Sequence, residues 1–526
     1  MDVELVITGA DVVDDQGVRR ADVAVTGGKI IAVGPNLPIG SVFEQVDGRG
    51  RLLCPGFIDL HAHSALRAFD NPLLEPKVGQ GFTTELICPD GLGPAPLTPA
   101  LRQGRRSYLQ ALEPSASAPW DWESLAEFLT ALDVARPSTN MVAAIPHSAV
   151  REVVMGGDNR HPDARETAAM QDLVRECFAA GARAISFGLI YAPGLYADTD
   201  ELLAMAEVAA EYDAPLVPHV RNEARGVLDS IEEFVGVAEK TGARLHVSHV
   251  KLVGCPDLLT DLIDLLTRAE DRIRLTYDQY PYGAGSTLLG ALLPQYAFDG
   301  GPVAMLGRVR DPSERLRMAR DMERELPGWE NLFKTCGPDN IVITQAAGSR
   351  AEDIGKTLEQ IATEQRVDPS IAVLDLLRDT DLDAAMIDHY SSETIVRDIF
   401  VHSRALVGSD GVFNPHPHPR LYGTAAKVLG RYALREKIVS LEDAVSRLTS
   451  RPARLLGLDD RGRVAEGLRA DLVLLDPAEF LDRATYDAPH QTPSGVDLVL
   501  IDGRPVWRAG QHTGERPGTV CRTPRG

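Results

Sequence analysis

Between Pro55 and about Thr449, short apolar, β-rich runs alternate with helical patterns, and few architectures accommodate that rhythm over such a length. The runs are Phe57–Leu60, Thr83–Ile87, Met141–Ile145, Ala184–Phe187, Leu216–His219, Leu245–His249, Leu275–Gln279 and Ala405–Ser409. Helical stretches such as Thr199–Tyr212 and Gly226–Thr241 fall between them. The alternation predicts parallel βαβ units. Eight such strands over this length predict a (β/α)8 TIM-like barrel with insertions. A doubly wound sheet shares the alternation. The stretch at about 292–340 breaks it, being charge-rich and helical, and predicts an insertion or lid.

Both ends of the chain read differently from the centre. Val3–Thr8, Val12–Val13, Val23–Thr26 and Lys29–Val33 are β-rich and separated by Gly and Asp turns, and Ala470–Leu475 and Val496–Asp502 repeat the pattern. The 526 residues are therefore expected to divide into a small β-sandwich domain built from 1–55 and 455–526, and a catalytic domain spanning 56–454.

Charge narrows the function. Lys and Arg number 54 against 76 Asp and Glu, a net of -22, with no basic stripe to engage phosphates or an anionic membrane surface. No window approaches a membrane span, and the first residues lack the basic and apolar regions of a signal peptide. The six Cys are scattered, without a CxxC pair. A soluble, cytoplasmic protein with reduced thiols is expected, with no nucleic-acid partner and no membrane.

The sharpest local signal is Gly56-Phe57-Ile58-Asp59-Leu60-His61-Ala62-His63. In a strand, residues two apart share a face. His61 and His63 then project together at the C-terminal mouth of a barrel strand, where two imidazoles can reach one divalent metal. His219 and His249 end two later strands and extend the cluster, whereas His246 points to the other face. Asp410, closing the last apolar run before Gly411, is the candidate general base for a metal-activated water and then the acid for a leaving nitrogen.

Further stretches give these residues a family likeness. They are His147-Ser148-Ala149-Val150-Arg151, Gly188-Leu189-Ile190-Tyr191-Ala192-Pro193-Gly194, His219-Val220-Arg221-Asn222-Glu223, Ser248-His249-Val250-Lys251, Asp278-Gln279-Tyr280-Pro281-Tyr282, Gly408-Ser409-Asp410-Gly411 and His418-Pro419-Arg420-Leu421-Tyr422-Gly423-Thr424. With Pro55–His63 and the β-rich ends, the set resembles the N-acyl-D-amino-acid deacylases (D-aminoacylases) of the amidohydrolase superfamily. The likeness covers nearly the whole chain and is weakest over about 292–400. It implies a zinc enzyme that hydrolyses an N-acyl amide to a D-amino acid and a carboxylate. It places metal ligands at His61, His63, His219 and His249 and the catalytic Asp at Asp410. Tightly bound zinc is expected with His219 and His249, and a second, weaker metal on the His61/His63 side.

One departure stands out. The family often carries a Cys zinc ligand in a Gly-Asn-Cys-Gly run after the second strand. Counting from Gly81, that position here is Asp90, with Cys88 two residues earlier and Pro89 between them. Asp90 is the expected ligand. A carboxylate is harder than a thiolate, which shifts preference toward metals that favour oxygen.

A substrate α-carboxylate needs a fixed cation. The resemblance nominates Lys251 and Arg420, with hydroxyl donors from Tyr191 and Tyr282, and Ser286 as a further candidate. The alternative is an amidohydrolase acting on another linear or cyclic amide, of the hydantoinase/dihydropyrimidinase kind. Those relatives commonly bridge their metals with a carboxylated Lys, and Lys251 is the only Lys near a strand end in the fitting region.

Overall fold

The central runs become eight parallel strands: β1 (Phe57–Ala62), β2 (Phe82–Ile87), β3 (Asn140–Pro146), β4 (Ala184–Gly188), β5 (Pro215–His219), β6 (Arg244–Val247), β7 (Leu275–Gln279) and β8 (Ala405–Val407). The structure is a computed structural model and describes residues 3–38 and 41–522. Residues 1–2, 39–40 and 523–526, part of the expected β domain, lie outside the described residues. The strands hydrogen-bond in chain order, and β1, β2 and β3 are buried at every position, as parallel strands covered on both faces must be. A parallel bridge from Ala62 to Gly411 and a 2.8 Å bond from the Asp410 amide to the His61 carbonyl bring the first and last strands together. The expected (β/α)8 barrel is the observed one.

The connecting helices begin and end where side-chain chemistry dictates. Asp198 caps the helix Thr199–Glu211 by accepting from the Glu201 amide at 2.9 Å. The helix Val227–Thr241 stops at Gly242, whose φ of 74° is the left-handed conformation that closes a helix.

The two ends of the chain share one nine-stranded sheet. Leu52–Pro55 pairs with Leu472–Leu475, and Val3–Asp14 lies on its other side. Leu5, Ile7, Val23, Leu53, Leu472 and Leu500 form a core against it.

Between β7 and β8 the chain forms an inserted unit. A three-stranded antiparallel sheet, Ala284–Leu288, Ala384–His389 and Ile341–Ala346, carries helices Gly301–Arg310, Pro312–Met322 and Pro369–Asp379. It has its own apolar core, including Leu289, Leu292, Met318 and Met386.

A buried ion network ties the strands that bear the site. Lys77 Nζ lies 2.7 Å from Asp59 Oδ2, 2.7 Å from Ser409 Oγ and 3.5 Å from Glu85 Oε2, and all four residues are buried. Asp59 Oδ1 accepts from the amides of Ser409 at 2.7 Å and His61 at 3.2 Å. One cation thus orders the segments leading to His61 and Asp410. Lys77→Met is expected to destabilise the protein by about 3–5 kcal/mol, because Asp59 and Glu85 would remain buried without a counter-charge. Urea titration followed by circular dichroism checks this, and an unshifted midpoint would refute it.

Candidate metal centre and substrate cavity

The histidines gather because each ends its strand at the same mouth of the barrel. His61 belongs to β1 and His63 follows it, His219 ends β5, and His249 lies just beyond β6. Asp90, His249 and Asp410 have φ of 55°, 32° and 51°, so the backbone turns sharply after β2, β6 and β8 to aim each side chain inward. Left-handed backbone at non-glycine residues is uncommon and clusters where function constrains the chain.

Asp90 stands at the centre with its two oxygens facing different histidine pairs. Oδ2 is 3.2 Å from His61 Nε2 and 3.5 Å from His63 Nε2. Oδ1 is 3.5 Å from His219 Nδ1 and 3.4 Å from His249 Nε2. Asp410 Oδ1 sits 3.2 Å from His63 Nε2 and 3.6 Å from His61 Nε2. His61, His63, Asp90 and Asp410 bring ligand atoms within 4.8 Å of one another, and Asp90, His219 and His249 form a second such group. All six side chains are buried. A nitrogen and oxygen donor set converging in this way, buried among imidazoles and carboxylates, fits a divalent cation of borderline to hard character.

Burial would push the Asp90 carboxyl up, but the histidines around it hold it well below the usual carboxylate range. Burial likewise opposes ionisation of Asp410, and the Arg420 guanidinium with His61 and His63 overcomes it. Both carboxylates are therefore ready to face a cation.

A partly open cavity lies beside these residues. Arg420, fully buried, places Nη2 3.0 Å from Asp410 Oδ1 and 3.1 Å from the Ser286 carbonyl, while its Nε and Nη1 have no partner. Its guanidinium stacks 4.4 Å from the Tyr280 ring centre. Lys251 lines the same cavity and pairs with Glu223 at 2.8 Å. Tyr191 also lines it, with its hydroxyl 2.8 Å from Thr287 Oγ1.

Tyr282 lies elsewhere: Lys427 Nζ sits 4.4 Å from its ring centre and its hydroxyl abuts Gly423, so Tyr280 supplies the aromatic wall instead. Cys88 is buried outside both ligand groups, its carbonyl accepting from Ser186 Oγ at 2.7 Å. His246 turns away to Asp278 at 3.0 Å and Thr276 at 2.8 Å.

Three supporting carboxylates were not anticipated. Glu223 faces His249 Nδ1 at 3.0 Å and His219 Nε2 at 3.5 Å, and a carboxylate behind an imidazole fixes its tautomer and orientation. Its place four residues after His219 was a visible signal. Glu113 approaches His63 Nδ1 at 3.6 Å and accepts from the Leu66 amide at 3.0 Å. Asp278 accepts from the His249 amide at 3.0 Å.

Residues 44–304 and 403–507 match the amidohydrolase family. The chain is 33% identical to an N-acyl-D-glutamate deacylase of Alcaligenes xylosoxydans xylosoxydans, over 99% of this chain and 96% of that one. A crystal structure of an N-acyl-D-glutamate deacylase from Bordetella bronchiseptica, complexed with zinc and a phosphonate mimic of the reaction's tetrahedral intermediate, is similar with a TM-score of 0.84. It is 32% identical, covering 99% of this chain and 100% of that one. A D-aminoacylase structure described as having a binuclear metal centre gives the same TM-score at 28% identity, covering 99% and 100%.

Proposed function

The chain belongs to the amidohydrolase family, and we propose that it is a zinc-dependent deacylase that cleaves N-acyl-D-amino acids to a D-amino acid and a carboxylate. The observation that carries this reading is the sharing of one cavity by Asp90, His63, His219 and His249 of the ligand groups and by the Arg420–Lys251 cations. A hydrolytic centre beside a carboxylate clamp suits an amide whose nitrogen side bears an α-carboxylate.

His61, His63, Asp90, His219 and His249 would hold the metal, which when bound acts as a Lewis acid toward water and the amide carbonyl. Asp410 takes the proton of the attacking water and delivers it to the leaving nitrogen. Arg420 orients Asp410 through Nη2 and offers its unpartnered Nη1 to the substrate α-carboxylate, with Lys251 as the second cation. Tyr191 lies against the His219 ring, centroids 5.3 Å apart, and supports the clamp.

The cyclic-amide alternative would need a carboxylated Lys between the histidine pairs, and Asp90 occupies that place. Six unpaired, buried cysteines support a reducing, cytoplasmic setting. No helix among the described residues is long and apolar enough to cross a membrane.

The reading is tested by amine release from a panel of N-acetyl amino acids in both enantiomers, using zinc-reconstituted enzyme. Release from D forms alone is expected. Release from L forms at equal rate, or from cyclic amides alone, would overturn it.

A further inference from the structure

The charged groups lining the substrate cavity pair off, except for one carboxylate. Its Lys and Arg side chains are Lys251 and Arg420, and both are committed, Lys251 to Glu223 and Arg420 to Asp410 and the α-carboxylate. Its carboxylates are Asp90 and Asp410 at the metal centre, Glu223 beside Lys251, and a fourth, Asp388, from the inserted strand Ala384–His389.

Asp388 is 5% exposed, and its Oδ1 has no hydrogen-bond partner. No basic side chain comes within ion-pair distance of it among the described residues, although it faces the cavity. Gly285, opposite it in the antiparallel pair, leaves the room it occupies: a β-carbon there would lie 2.7 Å from Asp388 Oδ1. A buried carboxylate without a partner is costly and needs an explanation. Burial pushes Asp388 up to about 7 despite Lys251 and Arg420, and pushes the nearby Glu330 up to about 8. Glu330 is also buried and accepts from the Glu223 amide at 3.1 Å. Val253 and Leu332 line the same cavity as Asp388 and provide apolar surface there.

We propose that Asp388 is a specificity residue that receives the cationic side chain of the substrate, so that this enzyme acts on N-acyl-D-amino acids ending in an ammonium or guanidinium group. The aliphatic stem of such a side chain packs on Val253 and Leu332, and its charged end supplies the partner that Asp388 lacks. An acidic side chain would set like charges together in a buried site. A purely apolar one would leave Asp388 unpaired. This inference rests on the deacylase reading.

The test compares kcat/KM for Nα-acetyl-D-lysine, Nα-acetyl-D-arginine, N-acetyl-D-methionine and N-acetyl-D-glutamate in the parent enzyme, Asp388→Asn and Asp388→Met. The parent is expected to favour the two cationic substrates by about 10- to 100-fold, as a charge-assisted contact allows. Asp388→Asn should remove most of that preference by lowering the cationic substrates far more than methionine, and Asp388→Met should raise methionine above lysine. Inhibition by free D-lysine against free D-methionine reads the same preference without turnover. A parent enzyme that prefers methionine or glutamate, or an Asp388→Asn variant that lowers all four alike, overturns this proposal and leaves the deacylase reading standing. Failure to hydrolyse any D substrate overturns both.

Discussion

Asp410→Asn is expected to lower kcat by about 100- to 10,000-fold, the range that a positioned general acid–base contributes. The substitution keeps the size of the side chain and the hydrogen bond that the residue's backbone N–H donates to the His61 carbonyl, but it removes the group that can carry a proton. Arg420 at 3.0 Å and His63 at 3.2 Å keep Asp410 anionic before it takes the proton of the attacking water. Arg420 is fully buried and is unchanged by the substitution, as is Lys251, so KM should change much less than kcat. Steady-state kinetics on the best D substrate, with metal content measured on the same preparations, check the expectation. Turnover near the parent value would remove Asp410 from proton transfer. Loss of bound metal in parallel with activity would make Asp410 a ligand instead.

Legibility in the sequence followed the regularity of the backbone. His61 and His63 could be read because a strand places alternate residues on one face, and β1 is a strand up to Ala62. His219 and His249 could be read because strand ends in a barrel share one mouth. The same logic stops where the strand stops. β7 ends at Gln279, so spacing no longer says whether Tyr280 or Tyr282 faces the cavity, and the loop through Pro281 selects Tyr280. Asp388 was hidden for another reason. It lies beyond the charge-rich 292–340 stretch, in a short apolar run outside the eight barrel strands, and only pairing of Ala384–His389 with Ala284–Leu288 turns it toward the site. Lys77 sits in a four-residue helix with no period to mark it as buried, and its place depends on Asp59 and Glu85 from two different strands. Local periodicity exposes residues that one element orients. It does not expose residues whose role is set by two distant segments meeting.

Asp90→Ala is expected to release metal from both histidine pairs, because one side chain serves both. Its Oδ2 faces His61 and His63 and its Oδ1 faces His219 and His249, so neither ligand group is complete without it. A single sulfur at this position would have to meet both groups through one atom, whereas a carboxylate divides the task between two. The loss of kcat/KM should exceed the about 10- to 100-fold that removing an outer-shell partner costs, since Asp90 is a ligand itself. Elemental analysis of the purified variant should show its metal content fall together with activity. Asp90→Cys separates donor chemistry from geometry. It should retain zinc but bind manganese or cobalt more weakly relative to zinc than the parent does, because thiolates favour softer ions than carboxylates. Unchanged metal content in Asp90→Ala would mean that the histidines suffice, and an unchanged metal preference in Asp90→Cys would mean that donor hardness at this position does not select the ion. The expected pattern follows from the placement of two oxygens on one residue, each facing a different pair of imidazoles at the mouth of the barrel.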